Sequence, residues 1–150
     1  MAVRVDRTLS ENVPGSPDEV RDHYVDLNNI KDVHPLVVSV RSVARTETSD
    51  GYTETYRVQD RIPLGFVTLP TTYTARLDVP KTGPVTAEAR QFPAVRLQST
   101  VTFEPIPAGT RLTERIQISA PRPLLGITVR QAVAAHREML AGIRRHFEKR

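Results

Sequence analysis

The sequence has 150 residues, of which 39% are hydrophobic and 25% charged, and it contains no cysteine. This length is typical of one globular domain, and the lack of cysteine excludes disulfides, thiol catalysis and thiolate metal sites. The formal net charge is +4, but basic and acidic residues alternate along the chain and no nucleic-acid-binding motif accompanies them. We therefore expect a single domain over residues 1–150 that does not bind nucleic acid.

No segment has the pattern of a signal peptide or approaches the ~20 apolar residues of a membrane-spanning helix. The four histidines show no metal-ligand spacing, and neither a glycine-rich phosphate loop nor a nucleophile elbow is present. We expect a cytoplasmic protein without integral membrane insertion, a metal or another cofactor.

The N-terminal part of the chain predicts a strand followed by two short helices. Four apolar residues share one side of a strand over residues 3–13: Val3, Val5, Leu9 and Val13. Ser16 and Glu19 then have the spacing of a capping box, which favours a helix as far as about Leu27. A second short helical turn is expected before Pro35, because the residue preceding a proline avoids helical geometry.

The middle of the chain has the pattern of an antiparallel meander. Six strands are predicted over residues 36–48, 52–62, 66–79, 85–92, 95–104 and 110–119. Asp50-Gly51 favours a tight hairpin between the first two of them. Pro70 predicts that the start of the third is an edge, a bulge or a loop.

Beyond Pro123 the hydrophobic period changes to that of a helix. The apolar stripe comprises Leu125, Val129, Ala132, His136, Leu140, Ile143 and Phe147. Gly126 and Gly142 interrupt this helix, which indicates close packing or room for a ligand. The element order predicts an α+β fold, with a curved antiparallel sheet of about seven strands around the long C-terminal helix and two short helices between the first two strands.

Three segments carry a resemblance to a known family. Residues 16–20 precede the first helix, residues 29–36 follow it, and residues 109–114 begin the last strand. With the element order, they resemble the START/SRPBCC (helix-grip) superfamily, in particular its polyketide cyclase/dehydrase and lipid-transport branch. The resemblance spans nearly the whole chain. It implies a deep hydrophobic pocket, in which some relatives cyclise or dehydrate polyketides and others carry or sense ligands.

Four polar residues on predicted inner faces are candidates for catalysis: Arg7, Glu54, Glu114 and His136. His136 suits proton transfer, while either glutamate can serve as acid or base and Arg7 can hold a ligand carbonyl or carboxylate. In the helix-grip topology the first and last strands are neighbours, so Arg7 and Glu114 are expected to face each other. The alternatives are a structural ion pair, a bulge that turns these charges to solvent, and a core histidine.

A larger set of residues is predicted to line the pocket: Tyr52, Tyr56, Tyr73, Leu97, Ser99, Val101, Leu112, Ile116, Val129, Val133, His136 and Leu140. The favoured function is transport, sensing or sequestration of a small hydrophobic molecule such as a lipid, a polyketide or an aromatic compound. One alternative is a polyketide cyclase/aromatase-type enzyme that uses the same pocket. Another is a protein-interaction module with an exposed apolar patch around residues 63–70 or 121–127. The oligomeric state stays open.

Overall fold

The computed structural model describes residues 2–64 and 66–150, and the elements follow the predicted order. The strands are β1 (Ala2–Val13), β2 (Val37–Thr48), β3 (Gly51–Leu64), β4 (Val67–Pro80), β5 (Val85–Gln91), β6 (Val95–Ile106) and β7 (Gly109–Pro121). The helices are α1 (Pro17–Val25), α2 (Leu27–Lys31) and α3 (Arg122–Glu148). Within the described part of the chain, no helix is both long enough and apolar enough to span a bilayer.

The described strands form one antiparallel sheet in the order β1-β7-β6-β5-β4-β3-β2. Strands β2 to β7 form a meander, and β1 pairs with β7 at the far edge without a register shift. The predicted α+β architecture is therefore confirmed, with its curved sheet, long C-terminal helix and two short helices between β1 and β2.

The expected edge position of Pro70 is also confirmed. Pro70 lies within β4 opposite Arg61 of β3. The pairing of β4 with β5 covers only residues 74–78 of β4, so Pro70 lies in a part of β4 that is paired with β3 alone. A proline is tolerated there because it has no N–H to contribute to a ladder.

Side-chain caps determine where the two short helices begin. Ser16 Oγ accepts a hydrogen bond from the Glu19 amide at 3.2 Å, and Glu19 Oε1 accepts one from the Ser16 amide at 3.1 Å. This is the predicted capping box. Asp26 separates the helices, since its carboxylate caps α2 by accepting from the Asn28 amide at 3.0 Å. The two helices cover one end of the sheet, with α1 against β6 and β7 and α2 against β2.

The long helix α3 packs mainly against β1 and β7. Its buried residues all lie in its second half: Ala135, Met139, Leu140, Gly142, Ile143 and Phe147. In the first half, Leu125, Val129 and Ala132 are only half-buried. The predicted apolar stripe is therefore fully buried only beyond His136, and space remains between the first half of α3 and the middle strands of the sheet.

Candidate functional site

Two adjoining chambers lie between the sheet and the helices. The inner chamber has a volume of about 100 Å³, and the outer chamber about 190 Å³. Residues of both walls are His34, Tyr73, Ala89 and Leu97. The inner chamber is otherwise lined mostly by apolar side chains, including Leu27, Ile30, Val37, Val40, Val58, Leu77 and Met139. Such walls suit an apolar ligand, while the few polar groups among them would set its orientation.

Glu114 is a completely buried charged residue, with 0% of its side chain exposed. Strand alternation in β7 directs it inward together with Leu112 and Ile116. Its Oε1 lies 2.5 Å from Nδ1 of His136, and its Oε2 accepts a hydrogen bond from the Tyr24 hydroxyl. The structure thus brings together two predicted candidates, Glu114 and His136, and adds Tyr24 from α1 as a third member.

Mutual stabilisation keeps Glu114 and His136 ionised. Burial by itself raises the pKa of the Glu114 carboxyl, but the charge and hydrogen bond of His136 overcome this effect and hold that pKa below its usual value. Burial also opposes the imidazolium form of His136, but the Glu114 carboxylate raises the pKa of His136 above its usual value. Both shifts favour the ion-paired form, a carboxylate with an imidazolium.

His136 presents a hydrogen-bond donor toward the inner chamber. An imidazolium donates from both ring nitrogens, and Nδ1 is used by Glu114. His136 lines the inner chamber, with 17% of its side chain exposed, and its Nε2 makes no hydrogen bond to any residue that the structure describes. The ring is held from one side and open on the other, which is an arrangement suited to binding an acceptor oxygen.

A second histidine, His34, contacts His136 edge-to-face with 5.3 Å between the ring centroids. Burial, reinforced by the charge of His136, lowers the pKa of His34 to about 3, so this ring is neutral. Its Nδ1 accepts from the Leu36 amide at 3.2 Å, which leaves the proton on Nε2. Among residues 2–64 and 66–150, no group of three or more histidines and carboxylates is arranged to hold a metal ion.

The outer chamber contains its own buried carboxyl group, Asp60 of β3, with 7% of the residue exposed. Burial raises the pKa of Asp60 to about 6, while the Tyr73 hydroxyl and His136 oppose this shift. Thr71 lies directly opposite on β4 and lines the same chamber. Asp60 Oδ1 and Thr71 Oγ1 are buried, yet neither has a hydrogen-bond partner among the described residues. Such atoms are uncommon in folded proteins and call for an explanation.

Several predicted pocket residues line a chamber, namely Tyr73, Leu97, Ser99 and His136. The others lie outside both chambers. Those buried in the packed core are Tyr56, Val101, Leu112, Ile116 and Leu140. Val129 and Val133 pack against that core while partly exposed, and Tyr52 lies under the Arg45 guanidinium at 3.7 Å. Strand alternation and helical periodicity placed these side chains on the inner side without distinguishing core from cavity.

The two remaining catalytic candidates do not join the Glu114 cluster. In the β1–β7 register, Glu114 is opposite Leu9, and Arg7 is opposite Ile116. The expectation that Arg7 faces Glu114 is wrong: Arg7 is exposed and donates to the carbonyl oxygen of Asp6 at 2.9 Å. Glu54 accepts a hydrogen bond from Ser42 at 2.7 Å and lies 3.7 Å from Arg45. This arrangement matches the alternative interpretation, a structural ion pair.

Exposed apolar side chains lie in the wall of the outer chamber and next to it in the chain. Leu69 and Phe92 are exposed and belong to its wall, and Phe66 and Val67 are exposed next to Leu69 in the chain. An apolar patch is thus present within residues 63–70. In the other proposed segment, residues 121–127, Leu124 and Ile127 are half-buried as part of the chamber wall.

The residues predicted for the site do not include Tyr24, His34 and Asp60, which line the chambers. For Asp60 a signal was present, because strand alternation puts it on the same side as Tyr56 and Val58. Tyr24 lies one helical turn from the buried Val20 in α1, which places it on the inner side, but nothing in the sequence pairs it with Glu114, 90 positions away in the chain.

The model of one protein family, described as polyketide cyclase/dehydrase and lipid transport, matches residues 4–148. The chain belongs to this family. No curated protein sequence matches this family member.

Solved structures share the fold of this chain. The di-domain ARO/CYC BexL from the BE-7585A biosynthetic pathway aligns with a TM-score of 0.75 and 15% identity, over 98% of this chain and 51% of BexL. The Zhui aromatase/cyclase from Streptomyces sp. R1128 aligns with a TM-score of 0.64 and 16% identity, over 97% and 95% of the two chains.

A fragment of a STAR-related lipid transfer protein from Xanthomonas axonopodis has a TM-score of 0.60 and 14% identity, over 93% of this chain and 85% of the fragment. At identities this low, the structural similarity shows a shared fold alone. Since one fold hosts many functions, the function has to be argued from the chambers themselves.

Proposed function

We propose that this protein binds a small hydrophobic molecule in the two chambers and that His136 holds a polar group of that ligand. The observation that carries the proposal is a histidine on the wall of an apolar chamber, oriented from behind by the buried carboxylate of Glu114. Membership of a family that includes lipid transport supports it. So does structural similarity to a lipid transfer protein and to aromatase/cyclases.

The polar side of this binding follows from the protonation of His136. Because Glu114 holds Nδ1, Nε2–H is the group available to the ligand, which must therefore offer an acceptor such as a carbonyl oxygen. The ring is already ordered before the ligand arrives, so less conformational entropy is lost on binding. The apolar walls contribute affinity by about 25 cal/mol for each Å² of ligand surface removed from water.

Native mass spectrometry of the purified protein, followed by organic extraction, tests the proposal. We expect a co-purifying lipid-like, polyketide-like or aromatic species at near-unit stoichiometry, with weaker retention in His136→Phe. Arg137→Gln is the matched control, because Arg137 follows His136 in α3 and its side chain is exposed. A protein that is empty and binds none of a panel of apolar fluorescent probes contradicts the proposal.

A second candidate, an enzyme of the polyketide cyclase/aromatase type, is favoured specifically by the pairing of His136 with Glu114. An imidazolium with a raised pKa can donate its Nε2 proton to a substrate carbonyl oxygen as an enol carbon of the substrate adds to that carbonyl carbon and the enol proton passes to solvent. It can equally protonate the resulting hydroxyl as this group leaves as water. The Glu114 carboxylate would stabilise the charged ring and fix its orientation, as carboxylates do beside catalytic histidines.

Turnover of a poly-β-carbonyl thioester distinguishes the enzyme from a carrier. For the enzyme, His136→Gln abolishes product while binding persists. Glu114→Gln lowers the pKa of His136, because the carboxylate that raised it is gone, and so shifts the rate profile to lower pH. A thioester that binds and is recovered unchanged from the wild-type protein excludes this activity and leaves the carrier.

A further inference from the structure

Asp60 and Thr71 form a polar spot in the wall of the outer chamber. They are directly opposite each other on β3 and β4, and such opposed residues have Cβ atoms about 4.5–5.5 Å apart on the same face of a sheet. Asp60 is nine-tenths buried, and both residues line the outer chamber. One side chain contributes a carboxylate oxygen, and the other contributes a hydroxyl.

The distribution of unpartnered polar atoms indicates that this spot is built for a ligand. Four buried side-chain atoms have no hydrogen-bond partner among the described residues, and Asp60 Oδ1 and Thr71 Oγ1 are two of them. The other two, in His23 and Arg96, lie outside both chambers. By contrast, both oxygens of the fully buried Glu114 are bonded within the protein.

We propose that Asp60 Oδ1 and Thr71 Oγ1 bind a hydroxyl group of the molecule whose apolar body fills the chambers, which rests on the proposed function. A ligand hydroxyl donates to the carboxylate and accepts from the threonine, so one group satisfies both atoms. Asp60 has no donor proton when ionised and therefore selects against a ligand that offers only acceptors at this end.

Together, the two chambers define a ligand class. His136 in the inner chamber donates, so it selects a carbonyl or another acceptor, whereas the outer chamber selects a hydroxyl. The ligand is an apolar molecule with a carbonyl oxygen at one end and a hydroxyl at the other. The four residues shared by both walls, His34, Tyr73, Ala89 and Leu97, lie along its middle.

Two fluorescent probes that differ only at the outer end test this subsite: 6-acetyl-2-naphthol and its methyl ether. Titration of the full chain should show that the wild-type protein binds the naphthol about 10-fold or more tightly than the ether, as a charge-assisted hydrogen bond implies. In Asp60→Asn this preference should fall to about threefold or less, because an amide also donates to an ether oxygen.

Thr71→Val provides a second variant that keeps side-chain shape, and it should weaken binding of both probes a few-fold, because the threonine hydroxyl donates to the oxygen of either probe. The matched control is Thr72→Val on the exposed face of the same strand, which should leave both affinities unchanged. This pair keeps the test decisive even where Asp60→Asn reduces folding.

Equal wild-type affinities for the two probes, a preference that survives in Asp60→Asn, or unchanged affinities in Thr71→Val overturn the subsite and leave the proposed function standing. That result would mean that Asp60 Oδ1 and Thr71 Oγ1 bind a structural water. Failure of both probes to bind the wild-type protein at their solubility limits contradicts the proposed function, and the subsite with it.

Discussion

The two halves of α3 have the same kind of apolar stripe but different surroundings. Beyond His136 the stripe is buried against β1 and β7, whereas before Ala135 no residue of α3 is buried. The first half instead supplies Leu124, Ile127 and Ala132 to the wall of the outer chamber. An amphipathic pattern thus indicates which face of a helix turns inward, and the sheet beneath decides whether that face meets a core or a cavity.

The largest expected effect concerns His136, at the boundary between the two halves. Glu114→Leu should lower the free energy of unfolding by about 3–5 kcal/mol, because it leaves a buried imidazolium without its partner. Urea denaturation measures the loss. The double variant Glu114→Leu/His136→Leu should cost clearly less than the sum of the single variants, and additive costs would contradict coupling between the two residues.

Matched leucines test the difference in packing directly. Leu140→Ala should cost about 2–5 kcal/mol in unfolding free energy, because Leu140 is fully buried and a cavity remains. Leu125→Ala, in the half-buried first part of α3, should cost about 1 kcal/mol or less. Similar losses in both variants would show that the first half is as tightly packed as the second.

The carboxyl group of Asp60 should make the outer chamber sensitive to pH. Its folded-state pKa of about 6 lies above its ordinary value of 3.8, so the folded protein holds more protons between these values. The free energy of unfolding should therefore fall by up to about 3 kcal/mol as the pH rises from about 4 to about 6. Above pH 6 it should stay level. Denaturation of the wild type and Asp60→Asn across this range isolates the effect, since the asparagine variant lacks it. A constant difference between the two proteins would refute the raised pKa.

The two glycines within α3 should respond in opposite directions. A Cβ at Gly142 would lie 2.7 Å from Cβ of Val33, so Gly142→Ala should destabilise the protein by about 1–3 kcal/mol. A Cβ at Gly126 meets nothing within 4 Å, so Gly126→Ala should stabilise by up to about 1 kcal/mol through helix propensity. Thermal unfolding followed by circular dichroism compares the two. Equal signs would contradict the difference in packing between the helix halves.

Much of the fold was predictable because its signals are local. The Ser16–Glu19 capping box, the alternation within β7 and the 3.6-residue period of α3 each depend on neighbours a few positions away. The edge position of Pro70 also follows from local chemistry, since a proline lacks the N–H of a ladder. Local signals of this kind are sufficient to place Glu114 and His136 on inner faces.

The sequence by itself determined the order of the elements, their caps and the inward side of each strand, because backbone geometry is decided over a few residues. The tertiary structure alone decided that Glu114 is opposite Leu9 rather than Arg7. It also decided that Tyr24 reaches Glu114 and that Asp60 faces a chamber rather than a packed core. The physical reason is that strand alternation has a period of two. A register that slips by two residues keeps every side chain on its face and changes its neighbours, so only the packed sheet and helices together select the partners.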